Sequence, residues 1–238
     1  MLDINYQCGT RIVMNDHAQK EAAHYIKAYG GTRVLILYGG GHVVHSGLLD
    51  QVKETLSREE IFFVEMGGVV PNPHLGLVRE AISVCRENRV DFILAVGGGS
   101  VIDSAKAIAA GVPYDGDVWD FYAEENGANI VIPQKALPIG VILTMAATGS
   151  ESSNGTVLSD PERQLKRSFD NDLVRPVFAL ENPRLMMSLS PFQTFCGLID
   201  IMSHSMERYF TKAGTENELT DRLAEAIFFT CIHCGNTL

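Results

Sequence analysis

The spacing of hydrophobic and polar positions changes period several times along the chain. Residues 34–38 (Val34, Leu35, Ile36, Leu37, Tyr38) form an unbroken apolar run that stops at Gly39, Gly40 and Gly41, the pattern of a strand buried on both faces of a parallel sheet. A helical pattern follows over 48–57, a strand over 61–64, and a helix over 75–88 in which Leu75, Val78, Ile82 and Cys85 share one face. Residues 92–96 predict the next strand, and a helix over 101–110 opens after Gly97, Gly98 and Gly99. Two more strand candidates lie at 139–143 and 177–180. After Asn182, Pro183 and Arg184 no strand pattern remains, and 191–210 and 219–232 predict two helices separated by a polar turn over 211–217. Strand alternating with helix predicts an α/β fold, with an α/β domain over 1–183 and an all-helical segment over 184–238.

Composition narrows the function classes. The 238 residues are 46% hydrophobic and 20% charged, the balance of a globular enzyme rather than of a disordered, collagen-like or disulfide-stapled chain. Nineteen basic against twenty-nine acidic residues give a net charge of −10, with no Lys/Arg cluster. That balance argues against a grip on nucleic acid or an anionic membrane and leaves small molecules as partners. The five cysteines are scattered and odd in number, and residues 1–14 contain no apolar leader core. Both features predict a reducing cytoplasm. The most apolar stretch, 136–147, is broken by Pro138 and Gly140 and falls short of the ~20 residues that span a bilayer.

Two glycine triplets carry the candidate binding chemistry. The turn Gly97, Gly98, Gly99, Ser100 lies between a predicted strand and a helix whose first amides lack intrahelical partners and whose dipole favours an anion. Ser100 is a candidate cap for that helix. Asp103 and Lys106, at steps of three, are placed on the side that starts at the turn. The spacing is neither GxGxxG nor a P-loop, so it points to phosphate without naming a nucleotide, and a turn that merely packs strand against helix is the competing reading. Gly39, Gly40 and Gly41 form a second turn at the end of an earlier strand, where open α/β sheets bind ligands, and a dinucleotide would use both. Glycine stands where an acidic residue would receive a ribose hydroxyl and repel a 2′-phosphate, which favours NADP(H). His42 and His45 either face that phosphate or are solvated loop histidines.

Asp200 and His204 are four residues apart on a predicted helix and share one face. A carboxylate and an imidazole suit Zn²⁺ or Fe²⁺, and an ordinary i,i+4 pair is the alternative. Glu207, a further step of three along, is either a partner that supports the His204 ring or a solvated acid. The run Cys231, His233, Cys234 is discounted as a metal knuckle, because no second ligand pair follows it.

These motifs, together with Pro71, Asn72, Pro73 and Thr148, Gly149, Ser150, Glu151, run in order along essentially the whole chain. They resemble the iron-containing (group III) alcohol dehydrogenases, most closely the NADPH-dependent butanol dehydrogenase-like branch. The resemblance implies a Rossmann-like, dehydroquinate synthase-like nucleotide-binding domain followed by the start of an all-helical metal-binding domain, with the active site in the cleft between them. It implies that Gly97, Gly98 and Ser100 hold the pyrophosphate of NADP(H), with NAD(H) as the alternative, and that Asp103 supports the nicotinamide side. Thr144, Thr148 and Lys166 would line the groove, Asn72 would match a nucleotide-side position, and Asp200 and His204 would be the first two ligands of a divalent metal, Fe²⁺ or Zn²⁺. The implied substrates are small alcohols and aldehydes, and the implied full-length assembly is a homo-oligomer.

Family chains continue beyond this one and supply two more histidine ligands, so the expectation is a C-terminally truncated chain with an incomplete metal site and weak or no turnover. His42, Val43, Val44 and His45 also replace the serine and basic residues usual in this branch. The competing function is a catalytically inactive nucleotide-binding fragment that associates with other subunits through Ile199, Met202, Met206, Leu223 and Ile227. A third reading keeps the fold but shifts the reaction toward glycerol dehydrogenase or dehydroquinate synthase relatives.

Overall fold

The computed structural model describes residues 8–125, 128–129, 131–147, 149–210 and 218–237. In chain order the elements are β1 (Arg11–Met14), α1 (Ala22–Ala28), β2 (Arg33–Tyr38), α2 (Gly41–His45), α3 (Leu48–Arg58), β3 (Phe62–Met66), α4 (Leu75–Glu87), β4 (Phe92–Gly97) and α5 (Gly99–Gly111). There follow β5 (Glu124–Glu125), β6 (Ala128–Asn129), β7 (Ile139–Leu143), β8 (Gly155–Asp160), β9 (Leu165–Asp170), β10 (Phe178–Glu181), α6 (Pro191–Tyr209) and α7 (Glu218–Thr237). Every strand and helix expected from the hydrophobic pattern is present within a few residues of its expected ends. The pattern did not reveal β1, the short helix α2, the β5–β6 pair or the β8–β9 hairpin. Helix α7 runs to Thr237, past the expected end at 232, and takes in the Cys231–Cys234 run.

Six strands form one parallel sheet in the order β1-β10-β7-β4-β2-β3. All of β4, β7 and β10 and the centre of β2 are buried, while the edge strand β1 is largely exposed and the other edge strand, β3, is half-buried. Apolar runs without alternation arise because both faces of the central strands are covered. Phe178 of β10 stacks on Phe92 of β4 at 5.9 Å, in room left by Gly140, whose Cβ would stand 2.1 Å from the Phe178 ring. From β2 the chain runs outward to β3, returns past β2 to β4 and then proceeds to β7 and β10. The strand order therefore reverses between β2 and β4.

Helix α3 buries Leu48, Leu49, Val52 and Leu56, and α4 buries Leu75, Val78, Ala81, Ile82 and Cys85. Helix α5 differs from both, because nearly every position from Val101 to Gly111 is buried. Its outer side is roofed by the antiparallel β8–β9 hairpin and by the short turn Val118–Tyr122, where Trp119 stacks on Tyr122 at 5.4 Å.

The chain separates into two compact units. The first comprises the described residues up to Thr144 together with Ser150–Arg184, and the second comprises Met145–Gly149 with Leu185–Leu238. In the second unit α6 starts at the Ser190 cap, whose Oγ accepts from the Gln193 amide at 3.2 Å, with Pro191 in the first helical turn. Helices α6 and α7 pack on each other, and Gly197 lies so close to the backbone of Ala146 that an added Cβ would be 2.7 Å from its carbonyl oxygen. No helix among the described residues is long and apolar enough to cross a membrane.

Candidate nucleotide site and metal-type pair

The carboxyl ends of four neighbouring strands form a rim tied together by backbone hydrogen bonds. Tyr38 of β2 pairs with Val96 of β4, so the residues that follow, Gly39 and Gly97, open both glycine turns at equivalent heights on adjacent parallel strands. The Gly68 amide beyond β3 donates to the Gly39 carbonyl at 3.1 Å, and the Thr144 amide beyond β7 donates to the Gly97 carbonyl at 3.1 Å. The two turns thus stand side by side where the strand order reverses, the place at which open α/β sheets hold ligands.

The glycines differ in what requires them. A Cβ on Gly97 would fall 2.5 Å from Val101 Cγ2, and one on Gly39 would be 3.3 Å from the Val69 carbonyl oxygen, whereas Gly40 faces open space. Gly98, extended at φ −98° and ψ −166°, is the residue that precedes α5, and no side chain caps the helix. This corrects the expected cap: Ser100 sits inside the first turn of α5 rather than ahead of it. An uncapped helix start beside an open turn leaves backbone N–H groups for an external acceptor, which fits a pyrophosphate.

Asp103, one turn into α5, is held by the hairpin side. Its Oδ1 accepts from Ser150 Oγ at 2.7 Å and its Oδ2 from the Val157 amide at 3.2 Å, while its backbone carbonyl accepts from Thr156 Oγ1 at 2.8 Å. Burial raises its carboxyl pKa, opposed by the Ser150 hydrogen bond and the Lys106 charge. Lys106 does not face the turn as expected. It is 0% exposed beneath the hairpin, and its Nζ donates to Ser150 Oγ (3.0 Å), Ser153 Oγ (3.0 Å) and the Gly155 carbonyl (2.7 Å). Burial lowers its pKa to about 8, against the pull of Asp103.

Asn72, in the loop after β3, holds a left-handed backbone at φ 55°, and its Oδ1 accepts from Lys166 Nζ of β9 at 2.8 Å. The same loop is fixed to the hairpin where the Ser159 amide donates to the Pro73 carbonyl at 2.9 Å. Gly39, Gly40, Gly41, Gly97, Gly98, Ser100 and Thr144 thus lie together at the carboxyl ends of β2, β4 and β7, the Asn72–Lys166 pair ties the loop beyond β3 to β9, and Asp103 stands one turn into α5. His42 and His45 lie exposed on α2. Thr148 falls outside the described residues.

In the second unit, His204 Nε2 lies 3.7 Å from Asp200 Oδ1 and His204 Nδ1 lies 3.9 Å from Glu207 Oε2, with His204 52% and Asp200 41% exposed. Among the described residues no group of three or more His, Cys, Asp or Glu side chains converges on a point. A carboxylate and an imidazole have the right chemistry for Fe²⁺ or Zn²⁺, but two exposed donors do not fit a closed shell, which for zinc needs four ligands. Cys231 is buried and Cys234 exposed, both as free thiols.

Sequence reasoning missed the Lys106, Ser150, Asp103 cluster. The signal the sequence offered was the turn at Asp160, Pro161 and Glu162, in which Asp160 Oδ1 accepts from the Glu162 and Arg163 amides.

Comparison with known proteins places these features in a family. Residues 9–183 match the family described as iron-containing alcohol dehydrogenase. The chain is 42% identical over 236 residues to NADH-dependent butanol dehydrogenase A of Clostridium acetobutylicum, covering 99% of this chain and 59% of that protein. It is 40% identical over 203 residues to the NADPH-dependent aldehyde reductase YqhD of Escherichia coli, covering 85% of this chain and 51% of that one. The crystal structure of NADH-dependent butanol dehydrogenase A from Thermotoga maritima superposes with a TM-score of 0.93 at 35% identity, over 99% of this chain and 57% of that one. The chain thus spans between half and three fifths of the length of these relatives.

Proposed function

The chain belongs to the iron-containing alcohol dehydrogenase family, and we propose that it is the nucleotide-binding part of an oxidoreductase that interconverts primary alcohols and aldehydes by hydride transfer with a nicotinamide dinucleotide. The observation that carries this reading is the pair of glycine turns at equivalent heights on β2 and β4, at the reversal of strand order.

In this proposal the amides around Gly97, Gly98 and Ser100 receive the pyrophosphate, and Gly39, Gly40, Gly41 and His42 face the adenosine end. Asn72, Thr144, Thr148 and Lys166 line the groove, and Asp103 supports the nicotinamide side. No carboxylate stands at the end of β2, so a 2′-phosphate meets no repulsion there, and the proposed cofactor is NADP(H), with NAD(H) also admitted. The named relatives include both NADH-dependent and NADPH-dependent enzymes. A divalent metal of this family would polarise the carbonyl oxygen of the aldehyde. Asp200 and His204 are the donors proposed for it, and because they do not complete a shell no step is assigned to it. The proposed setting is cytoplasmic, and the proposed assembly of the longer protein is a homo-oligomer.

A second reading, a nucleotide-binding unit that associates with other chains without turnover, is favoured by Ile199, Leu223 and Ile227, all exposed on α6 and α7. Titration with NADPH and NADH by nicotinamide fluorescence, with metal content measured on the same sample, tests the proposal. Saturable binding, tighter for NADPH, supports it, and failure of both nucleotides rejects the groove. Butyraldehyde reduction on the order of 10 per second would overturn the second reading.

A further inference from the structure

The ammonium of Lys106 has three protons, and the structure presents three acceptors to it: Ser150 Oγ, Ser153 Oγ and the Gly155 carbonyl oxygen. An ammonium has no lone pair to accept with, so Ser150 must direct its own proton elsewhere, and the acceptor within reach is Asp103 Oδ1 at 2.7 Å. We propose that Lys106 is a positioning residue that acts through Ser150 on Asp103, fixing the carboxylate behind the nucleotide turn without touching the ligand. A neutral amine has two protons and a lone pair. One of the three acceptors then goes unserved, or Ser150 turns around to donate to Nζ and releases Asp103. The positive charge, and not the length of the side chain alone, sets the direction of the chain of hydrogen bonds.

The surroundings are consistent with this arrangement. Asp103 on the same helix, Glu151 on the segment after Ser150 and Asp170 at the end of β9 favour the charged lysine, while Arg175 opposes it. Lys166 of β9 and the fully buried Tyr122 also face Asp103. Tyr122 donates to Thr156 Oγ1 at 3.0 Å, and Thr156 in turn donates to the Asp103 carbonyl, so the backbone of Asp103 is held independently of its carboxylate. Lys106 itself titrates at about 8, which puts the reversal within reach of ordinary buffers.

The inference rests on the groove reading for its effect on nucleotide binding but not for its effect on the free chain. Two readouts follow: NADH and NADPH affinity between pH 7.5 and 9.5, and hydrogen exchange of the Val157 amide, which donates to Asp103 Oδ2, in the free chain. In the wild type, affinity is expected to fall about tenfold across the window, the scale of one hydrogen bond to a charged group. Val157 protection, corrected for intrinsic rates, should fall with it. Ser150→Ala should start about tenfold weaker and show no slope, and Ser150→Thr, which keeps the hydroxyl, should restore it. Lys106→Met should match Ser150→Ala; if it does not fold, the two Ser150 variants decide. A wild-type slope in Ser150→Ala, or Val157 exchange that ignores both pH and Ser150, overturns the inference. Failure of both nucleotides to bind the wild type removes the groove reading, while Val157 exchange still settles the role of Lys106.

Discussion

The two compact units solve the burial problem to different extents. In the first, a parallel sheet is covered on both faces, the centre of β2 and all of β4, β7 and β10 are buried, and even a lysine inside finds three acceptors. In the second, α6 and α7 bury little beyond Gly197, Ala224 and Cys231, while Phe192 is 77% and Phe229 73% exposed. Two helices can hide only the stripe along which they touch, and a closed core needs a further layer. Binding elements in the first unit therefore rest on a framework already at full packing. The two metal-type donors of the second sit on a surface that its own residues leave open.

The sharpest way to break this comparison is to remove core from each side. Leu94→Ala, at a fully buried position of β4, should cost about 2–5 kcal/mol, whereas Phe229→Ala should change stability by less than about 0.5 kcal/mol. Leu94→Ala is read by urea unfolding followed through Trp119, the chain's single tryptophan, which lies in the first unit, and Phe229→Ala by the loss of helical circular dichroism over the same titration. Equal effects would mean that Phe229 is covered in solution.

Next in size is a pH effect confined to the first unit. Lys106 titrates at about 8 when folded against 10.5 ordinarily, so between those values the unfolded chain binds more protons and stability rises with pH, by about 3 kcal/mol at most. Cys85, pushed up to about 12 from 9.0 by burial, works in the opposite direction above pH 9. The quantity to measure is therefore the difference in slope between wild type and Lys106→Met, which should be positive from pH 8 upward. Global stability would then rise over the window in which nucleotide affinity falls, a divergence that simple loosening of the fold does not produce.

A smaller contrast lies within the rim. Gly97→Ala should cost about 1–3 kcal/mol, because the new methyl meets Val101 at 2.5 Å, and should weaken nucleotide binding. Gly40→Ala, which faces open space, should leave the unfolding midpoint nearly unchanged. Smallest of all, His204→Gln should leave the Trp119 transition where it is, since its 3.7 Å partner Asp200 is exposed on the other unit.

How much of this was legible in the sequence follows the same division between apolar and polar design. The apolar runs at 34–38 and 92–96 announce buried parallel strands, and the one-sided spacing of Leu75, Val78, Ile82 and Cys85 announces α4. Strand β1 carries no such run, because an exposed edge strand needs no apolar face. The β8–β9 hairpin was hidden by its charge, since Lys166, Arg167 and Asp170 read as a loop until Phe169 between them is known to pack on Phe121 and Tyr122 while β8 covers α5. That one omission explains the error at Lys106: without the hairpin, the helix side bearing Asp103 and Lys106 looks free to face a phosphate. The glycine turns were legible as a chemical possibility, and their adjacency was not, because only the register of β2 on β4 brings them level.

The path of the backbone has one more implication. The chain leaves the first unit after Thr144, contributes 145–149 to the second, re-enters at Ser150 and departs again after Arg184. No single cut isolates either unit: a C-terminal fragment starting at Leu185 would lose Ala146, on whose backbone Gly197 rests. Recombination that exchanged the helical half between relatives at one junction would join a foreign α6 to a native 145–149 strip, so the two parts must be inherited together or matched at three seams.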